Sequence, residues 1–345
     1  MNTSELHVEN NPYRLLGTYR VLLAMLVLIS HSSGWLPDWV APLSLGNVGV
    51  FSFFILSGFV IAEACDIFYP GRPVQFLLNR FIKIYPTYWA SCLLAIVIYS
   101  WFQLPELNLS LNAILSNLSI FLAERLPPNE FRLNSMVWAV GIELRFYFIA
   151  ALLTYSERCL DTYTRKLSRK LIYLVAVVFL SLYVYSFVND FNIISTIKFA
   201  PFFLLGFIYH RWLKNKNLES VVIGILAFIA SLHSYIFYNS AGGATDVQFT
   251  TSLFIFSTIL FGYLATISGN SKALVGIDKK LGEMTYSIYL VHGPIIYAIK
   301  KNNFENHTSF QATVIVTIFI SIIIHLLIEK QLIKLRDSIR LTKLQ

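Results

Sequence analysis

Residues 15–33 read LLGTYRVLLAMLVLISHSS, and the nine from Val21 to Ile29 carry no polar side chain on any face of a helix. A helix on the surface of a soluble domain keeps one polar stripe, whereas a helix that is apolar all round belongs in a core or a bilayer. The length is close to the ~20 residues needed to cross a hydrocarbon layer. Arg20 and His31 sit near the two ends of this run, eleven residues apart. That is roughly 16 Å of helical rise, and it brings the two side chains back to within about 20° of one another. One face of one helix therefore presents a cation towards one leaflet and an imidazole towards the other.

Similar runs recur beyond it at 46–64, 84–102, 137–155, 171–188, 195–211, 220–238, 249–268, 284–300 and 310–329. The segment 113–122, between Pro105 and Pro127-Pro128, is too short to cross and reads as an interfacial or re-entrant piece. Composition agrees with the pattern: 56% of the 345 residues are hydrophobic, 13% are charged and mean hydropathy is +0.62. Soluble domains carry about twice that share of charge. The expected fold is an all-α polytopic membrane bundle of about ten transmembrane helices, one domain over residues 1–345.

The net charge of +8 needs no nucleic acid to explain it. Twenty of the 27 lysines and arginines fall on segments 1–14, 65–83, 156–170, 211–219, 269–283 and 330–345, and five on the opposite side. By the positive-inside rule both termini are expected in the cytoplasm, with 330–345 as a basic tail. The polar stretch before the first span and the lack of an A-x-A site after it argue against a cleaved signal peptide. Cys65, Cys92 and Cys159 lie far apart, so neither a disulfide framework nor a metal site is expected.

Ionisable residues inside a bilayer are costly and point to function. Besides Arg20 and His31 they include Glu143, six residues into its span, and His292, next to Pro294. Glu143 is expected to meet either Arg145 or His31; a carboxylate that orients an imidazole is a recurrent way of making a general base. Residues two apart on a helix diverge, which disfavours Arg145. His292 either lines a cavity or satisfies a carbonyl freed by Pro294, while His325 and Glu329 read as a pair on a helix surface. Arg80 and Lys83 share one side of a helix at the inner surface and suit a phosphate, although they equally suit a membrane anchor.

The motifs Arg20-x10-His31, the Gly- and Phe-rich stretch Gly46–Phe59, Arg80-x2-Lys83-x-Tyr85-Pro86, Trp138-x4-Glu143-x2-Phe146-Tyr147 and Tyr286-Ser287-x-Tyr289-x2-His292 occur in that order. Together they resemble the acyltransferase family 3 membrane proteins. The resemblance implies an integral inner-membrane enzyme that moves an acyl group, usually acetyl, from cytoplasmic acetyl-CoA to a hydroxyl of a saccharide or lipid-linked glycan such as an O-antigen repeat. It makes His31 the essential histidine, acting as general base or acyl acceptor, and Arg20 and Arg80 the family's basic residues. Lys83 stands where the family has a second arginine. It keeps the charge and loses the bidentate fork.

Membrane lipids and acyl-CoA are the expected partners, with no nucleic acid. Ser57, Tyr147 and Tyr289 are candidate donors to a thioester oxyanion. The sequence ends at Gln345, too soon for the esterase-like domain some relatives carry, so the membrane domain is expected to complete the transfer. The competing reading is a proton-coupled saccharide transporter or flippase with Arg20, His31 and Glu143 as its polar path.

Overall fold

A computed structural model describes residues 15–102, 110–126, 131–159, 165–188, 195–241, 246–267, 272–302 and 306–341. Arg14, Glu106, Glu130 and Lys343 lie outside the described residues. Among those described there are helices and turns and no strand. The helices are α1 (Leu16–His31), α2 (Leu45–Glu63), α3 (Pro73–Trp101), α4 (Leu111–Asn117), α5 (Ile120–Glu124), α6 (Val137–Cys159) and α7 (Arg165–Val188). They continue as α8 (Ser195–Asn215), α9 (Leu218–Ala241), α10 (Val247–Leu264), α11 (Lys272–Lys301), α12 (Asn306–Ile324) and α13 (Lys330–Leu341), the last two joined by a π-helical turn, His325–Glu329.

Each of the ten apolar runs falls on a long helix, and the short segment 113–122 is the helix pair α4–α5. Crossing a membrane asks for more than being a helix. Five described stretches are long and apolar enough: Ala41–Phe68, Pro73–Trp101, Leu218–Ala241, Val247–Leu264 and Thr308–Arg340. A count of ten spans is therefore not established. The 16-residue α1 is short for a span, and α11 opens with Lys272, Asp278, Lys279, Lys280 and Glu283.

Lipid explains how polarity is arranged. Large apolar side chains point outward from several helices, such as Leu93 and Val97 of α3, Phe256 and Ile259 of α10, and Ile315 and Phe319 of α12. Along α12 the inward stripe is instead Ser309, Thr313, Thr317 and Ser321, all buried at four-residue intervals. Small hydroxyl residues between helices with aliphatic residues outside are the pattern expected where lipid, not water, is the solvent.

Two close crossings fix the frame. Between α2 and α8, a Cβ at Gly58 would run into the backbone of Phe203, and one at Gly206 into that of Ile55. The gap is sealed by stacked rings: Phe51 on Phe202 at 4.8 Å, Phe54 on Phe203 at 4.9 Å and Phe146 on Phe203 at 3.9 Å. Between α1 and α11, Gly17 meets the backbone of Asp278 and also faces Gly282. The α1 crossing positions the site.

Candidate active site

The start of α1 has backbone N–H groups with no intrahelical partner, and α11 supplies one. The Asp278 carboxylate accepts from Gly17 N at 2.9 Å, Thr18 N at 2.6 Å and Thr18 Oγ1 at 2.6 Å. A buried carboxylate in this place also meets the positive end of the helix dipole. Only glycines at 17 and 282 allow the backbones close enough for these bonds. Arg20 is thereby held one turn into α1, facing the bundle interior.

Arg20 lines a cavity of about 100 Å³ together with Arg80 and Lys83 of α3, Ser57 of α2, Glu143 and Tyr147 of α6, and Thr285, Tyr286 and Tyr289 of α11. Val50, Phe53, Phe54, Ala139 and Val140 supply its apolar wall. Arg80 is 3% exposed and lies over the rings of Phe76 (5.2 Å) and Tyr147 (5.3 Å). Those faces hold the guanidinium through cation–π attraction, while its buried Nε has no hydrogen-bond partner among the described residues. Among the described residues Glu143 is the single carboxylate on the cavity wall. Its Oε1 accepts from Ser57 Oγ at 2.7 Å and Tyr147 Oη at 2.6 Å. Three cations against one carboxylate in a low-dielectric setting make a host for a multiply charged anion.

At the other end of α1, His31 is exposed and His292 fully buried, with their rings stacked at 5.2 Å between centroids. His31 Nδ1 and His292 Nε2 are 2.9 Å apart, and His292 Nδ1 lies 3.1 Å from the Ile288 carbonyl. Tyr289, on the cavity wall, meets the His292 ring edge-on at 5.8 Å, so the cavity and the imidazole pair are adjacent. Lys300 Nζ donates to the His31 carbonyl at 3.1 Å.

A model of the acyltransferase domain family matches residues 17–329, which takes in the crossing, the cavity and both histidines. The chain belongs to this acyltransferase family. It is also similar to the exopolysaccharide production protein ExoZ of Rhizobium meliloti (strain 1021), 23% identical over 310 residues, covering 87% of this chain and 93% of that protein. No solved structure matches it. The protein is a membrane acyltransferase.

Measured against the sequence reading, the acyltransferase brings Arg20, Arg80, Lys83, Glu143, Ser57, Tyr147 and Tyr289 to one cavity and sets His31 and His292 together beyond it. The expected Glu143–His31 partnership does not form. The carboxylate is satisfied by Ser57 and Tyr147 beside the cations, and His31 has His292 instead. Arg145 pairs with Glu124 of α5 at 2.5 Å. Because the Ser57 and Tyr147 hydroxyls donate to Glu143, they are not free to serve a thioester oxyanion; Tyr289 Oη reaches Met136 O only at 3.5 Å.

His292 does not take up the carbonyl that Pro294 frees. That carbonyl, Leu290 O, accepts from Asn134 Nδ2 at 2.9 Å. His325 and Glu329 do bond each other at 3.1 Å, yet Glu329 also accepts from Thr87 (3.2 Å) and Ser287 (2.7 Å), making it a junction of three helices and not a surface group.

Besides Asp278 and Thr285, sequence did not single out Asn134, Tyr286 or Arg336. Asn134 precedes α6 in a loop whose burial nothing local announces. Tyr286 belongs to a motif already noted, and its buried hydroxyl, on the cavity wall, has no partner among the described residues. Arg336, counted with the basic tail, lies on α13. Asn79, the residue before Arg80, donates to Arg336 O at 3.0 Å and accepts from Arg336 Nε at 3.4 Å. The Arg336 charge bears on both Arg80 and Lys83. Residues 330–341 are thus a helix docked on α3.

Proposed function

We propose that this acyltransferase moves an acetyl group from cytoplasmic acetyl-CoA to a hydroxyl of a surface saccharide or its lipid-linked precursor, an exopolysaccharide or O-antigen repeat, in the inner membrane. Both termini face the cytoplasm, as the Lys/Arg asymmetry requires. One observation carries the reading: Arg20, Arg80 and Lys83 converge on one cavity, and α1 continues from it to His31. The CoA phosphates are the multiply charged anion that such a cavity suits. The pantetheine arm follows the Arg20 face of α1 for roughly 16 Å of rise and delivers the thioester to His31. The saccharide acceptor is supported by the similarity to an exopolysaccharide production protein.

In the transfer, His31 Nε2 takes the acceptor hydroxyl proton as its oxygen attacks the thioester carbonyl. The C–S bond then breaks, and the thiolate leaves with the proton returned from Nε2. General-base assistance of this kind contributes about 10²–10⁴-fold. The test is thiol release by the purified protein in nanodiscs supplied with acetyl-CoA and its saccharide acceptor. Mass spectrometry of surface glycans with and without the gene identifies the added group. Movement of saccharide across the membrane without consumption of acyl-CoA would replace this reading with the transporter.

A further inference from the structure

The two histidines determine each other's protons. The Ile288 carbonyl can only accept, so His292 Nδ1, 3.1 Å away, carries a hydrogen. His292 is fully buried, with Tyr289 at its edge. The Lys300 ammonium donates to the His31 carbonyl, and no carboxylate bonds either ring among the described residues. An imidazolium in that position would be desolvated without a counter-charge. With Nδ1 bearing the only ring proton, His292 Nε2 presents a lone pair. The 2.9 Å contact then requires a hydrogen on His31 Nδ1.

We infer that His292 is a positioning residue that locks His31 in its Nδ1–H tautomer, leaving the His31 Nε2 lone pair for the substrate. The relay runs from His31 Nδ1–H to His292 Nε2, and from His292 Nδ1–H to the Ile288 carbonyl. It does for this histidine what a buried carboxylate does elsewhere: it fixes ring orientation and tautomer without touching the substrate. The inference rests on His31 being the group that meets the acceptor hydroxyl. Both proton abstraction and acyl capture use the same Nε2 lone pair, so it holds for either.

Two measurements test it. The first needs no activity: the protein is labelled with ¹⁵N-histidine, reconstituted in nanodiscs, and the His31 resonances are assigned by their loss in His31→Ala. His31 is expected as the Nδ1–H tautomer in the parent protein and as the Nε2–H tautomer, favoured by a free histidine side chain, in His292→Leu. The second is turnover. His292→Leu lowers kcat by about 10²-fold or more with the KM for acetyl-CoA unchanged. His292→Gln, whose amide oxygen accepts from His31 Nδ1, restores most of that loss, which a residue needed only for packing would not do. An Nε2–H His31 in the parent protein overturns the inference, as does a folded His292→Leu with parental kcat. If the parent protein releases no thiol at all, the functional reading falls, while the tautomer measurement still decides the relay.

Discussion

Replacing Arg80 with Gln is the most direct probe of the cationic cavity. The guanidinium is 3% exposed, clamped over two rings, and its Nε lacks a partner among the described residues. It is therefore already ordered, and an arriving phosphate gains its hydrogen bonds without ordering that side chain. One hydrogen bond to a charged group is worth about 1.5–3 kcal/mol, which at 1.36 kcal/mol per decade is a factor of about 10–150. Gln keeps a donor and much of the side-chain volume but removes the charge and the fork.

Arg80→Gln is thus expected to raise the KM for acetyl-CoA by about 10- to 150-fold with a far smaller change in kcat, because the interaction is the same in ground and transition states. The assay is initial-rate thiol release across an acetyl-CoA titration in nanodiscs, with a thermal melt as a check on folding. A folded Arg80→Gln enzyme with parental KM, or one that loses kcat at constant KM, would refute the phosphate role.

Gly58→Ala and Gly206→Ala each place a Cβ against backbone of the facing helix, and each is expected to lower stability by about 1–3 kcal/mol; Gly276→Ala, inside α11 with nothing beyond its own turns of helix within 4 Å of the new methyl, keeps or slightly raises thermal melting in detergent. Asn134→Ala strands Leu290 O and is expected to cost about 1–3 kcal/mol. In the Pro294→Ala background the N–H gained by the substitution can take that carbonyl, so the double variant should be less destabilised than the sum of the singles. Asp278→Ala removes three hydrogen bonds at the start of α1 and is expected to cost about 0.5–2 kcal/mol by the measure of helix caps, with KM for acetyl-CoA rising as Arg20 loses its fixed place.

What sequence could and could not say about this site divides along a physical line. Helical spacing gives depth and azimuth on one helix, and on that basis the shared face of Arg20 and His31, and the shared side of Arg80 and Lys83, were legible. It says nothing about which face of a second helix turns towards the first. Glu143 and His31 could be set at similar depths, and yet α6 directs its carboxylate to Ser57 and its own Tyr147 one turn on. The same blindness made Ser57 and Tyr147 look available to a substrate. Span count stays open for a different reason: apolar runs mark where helices form, but helices such as α11 bury charge against protein, and hydropathy cannot separate that from water.

The partnership of α1 and α11 gives the spacing of the site its rigidity. Gly17 bonds Asp278, and His31 faces His292, so the two contacts are fourteen residues apart on each helix. Both contacts advance in the same chain direction, which makes α1 and α11 parallel. Fourteen residues are two heptads, the interval after which two helices wound gently about each other return to the same contact, and Gly282 against Gly17 holds them near enough to do so. The rise between the contacts is about 21 Å on either helix. A slip of one turn would break the Asp278 cap and the imidazole relay at once, since neither has an alternative partner in register. Arg20 and His31 lie between or at these two fixed points, so the distance from the cationic cavity to the imidazole cannot stretch unless α11 stretches with it. A donor whose charged head and reactive carbonyl are joined by a long arm is measured against that fixed distance. In the proposed reaction an acceptor hydroxyl need only reach His31, and is not.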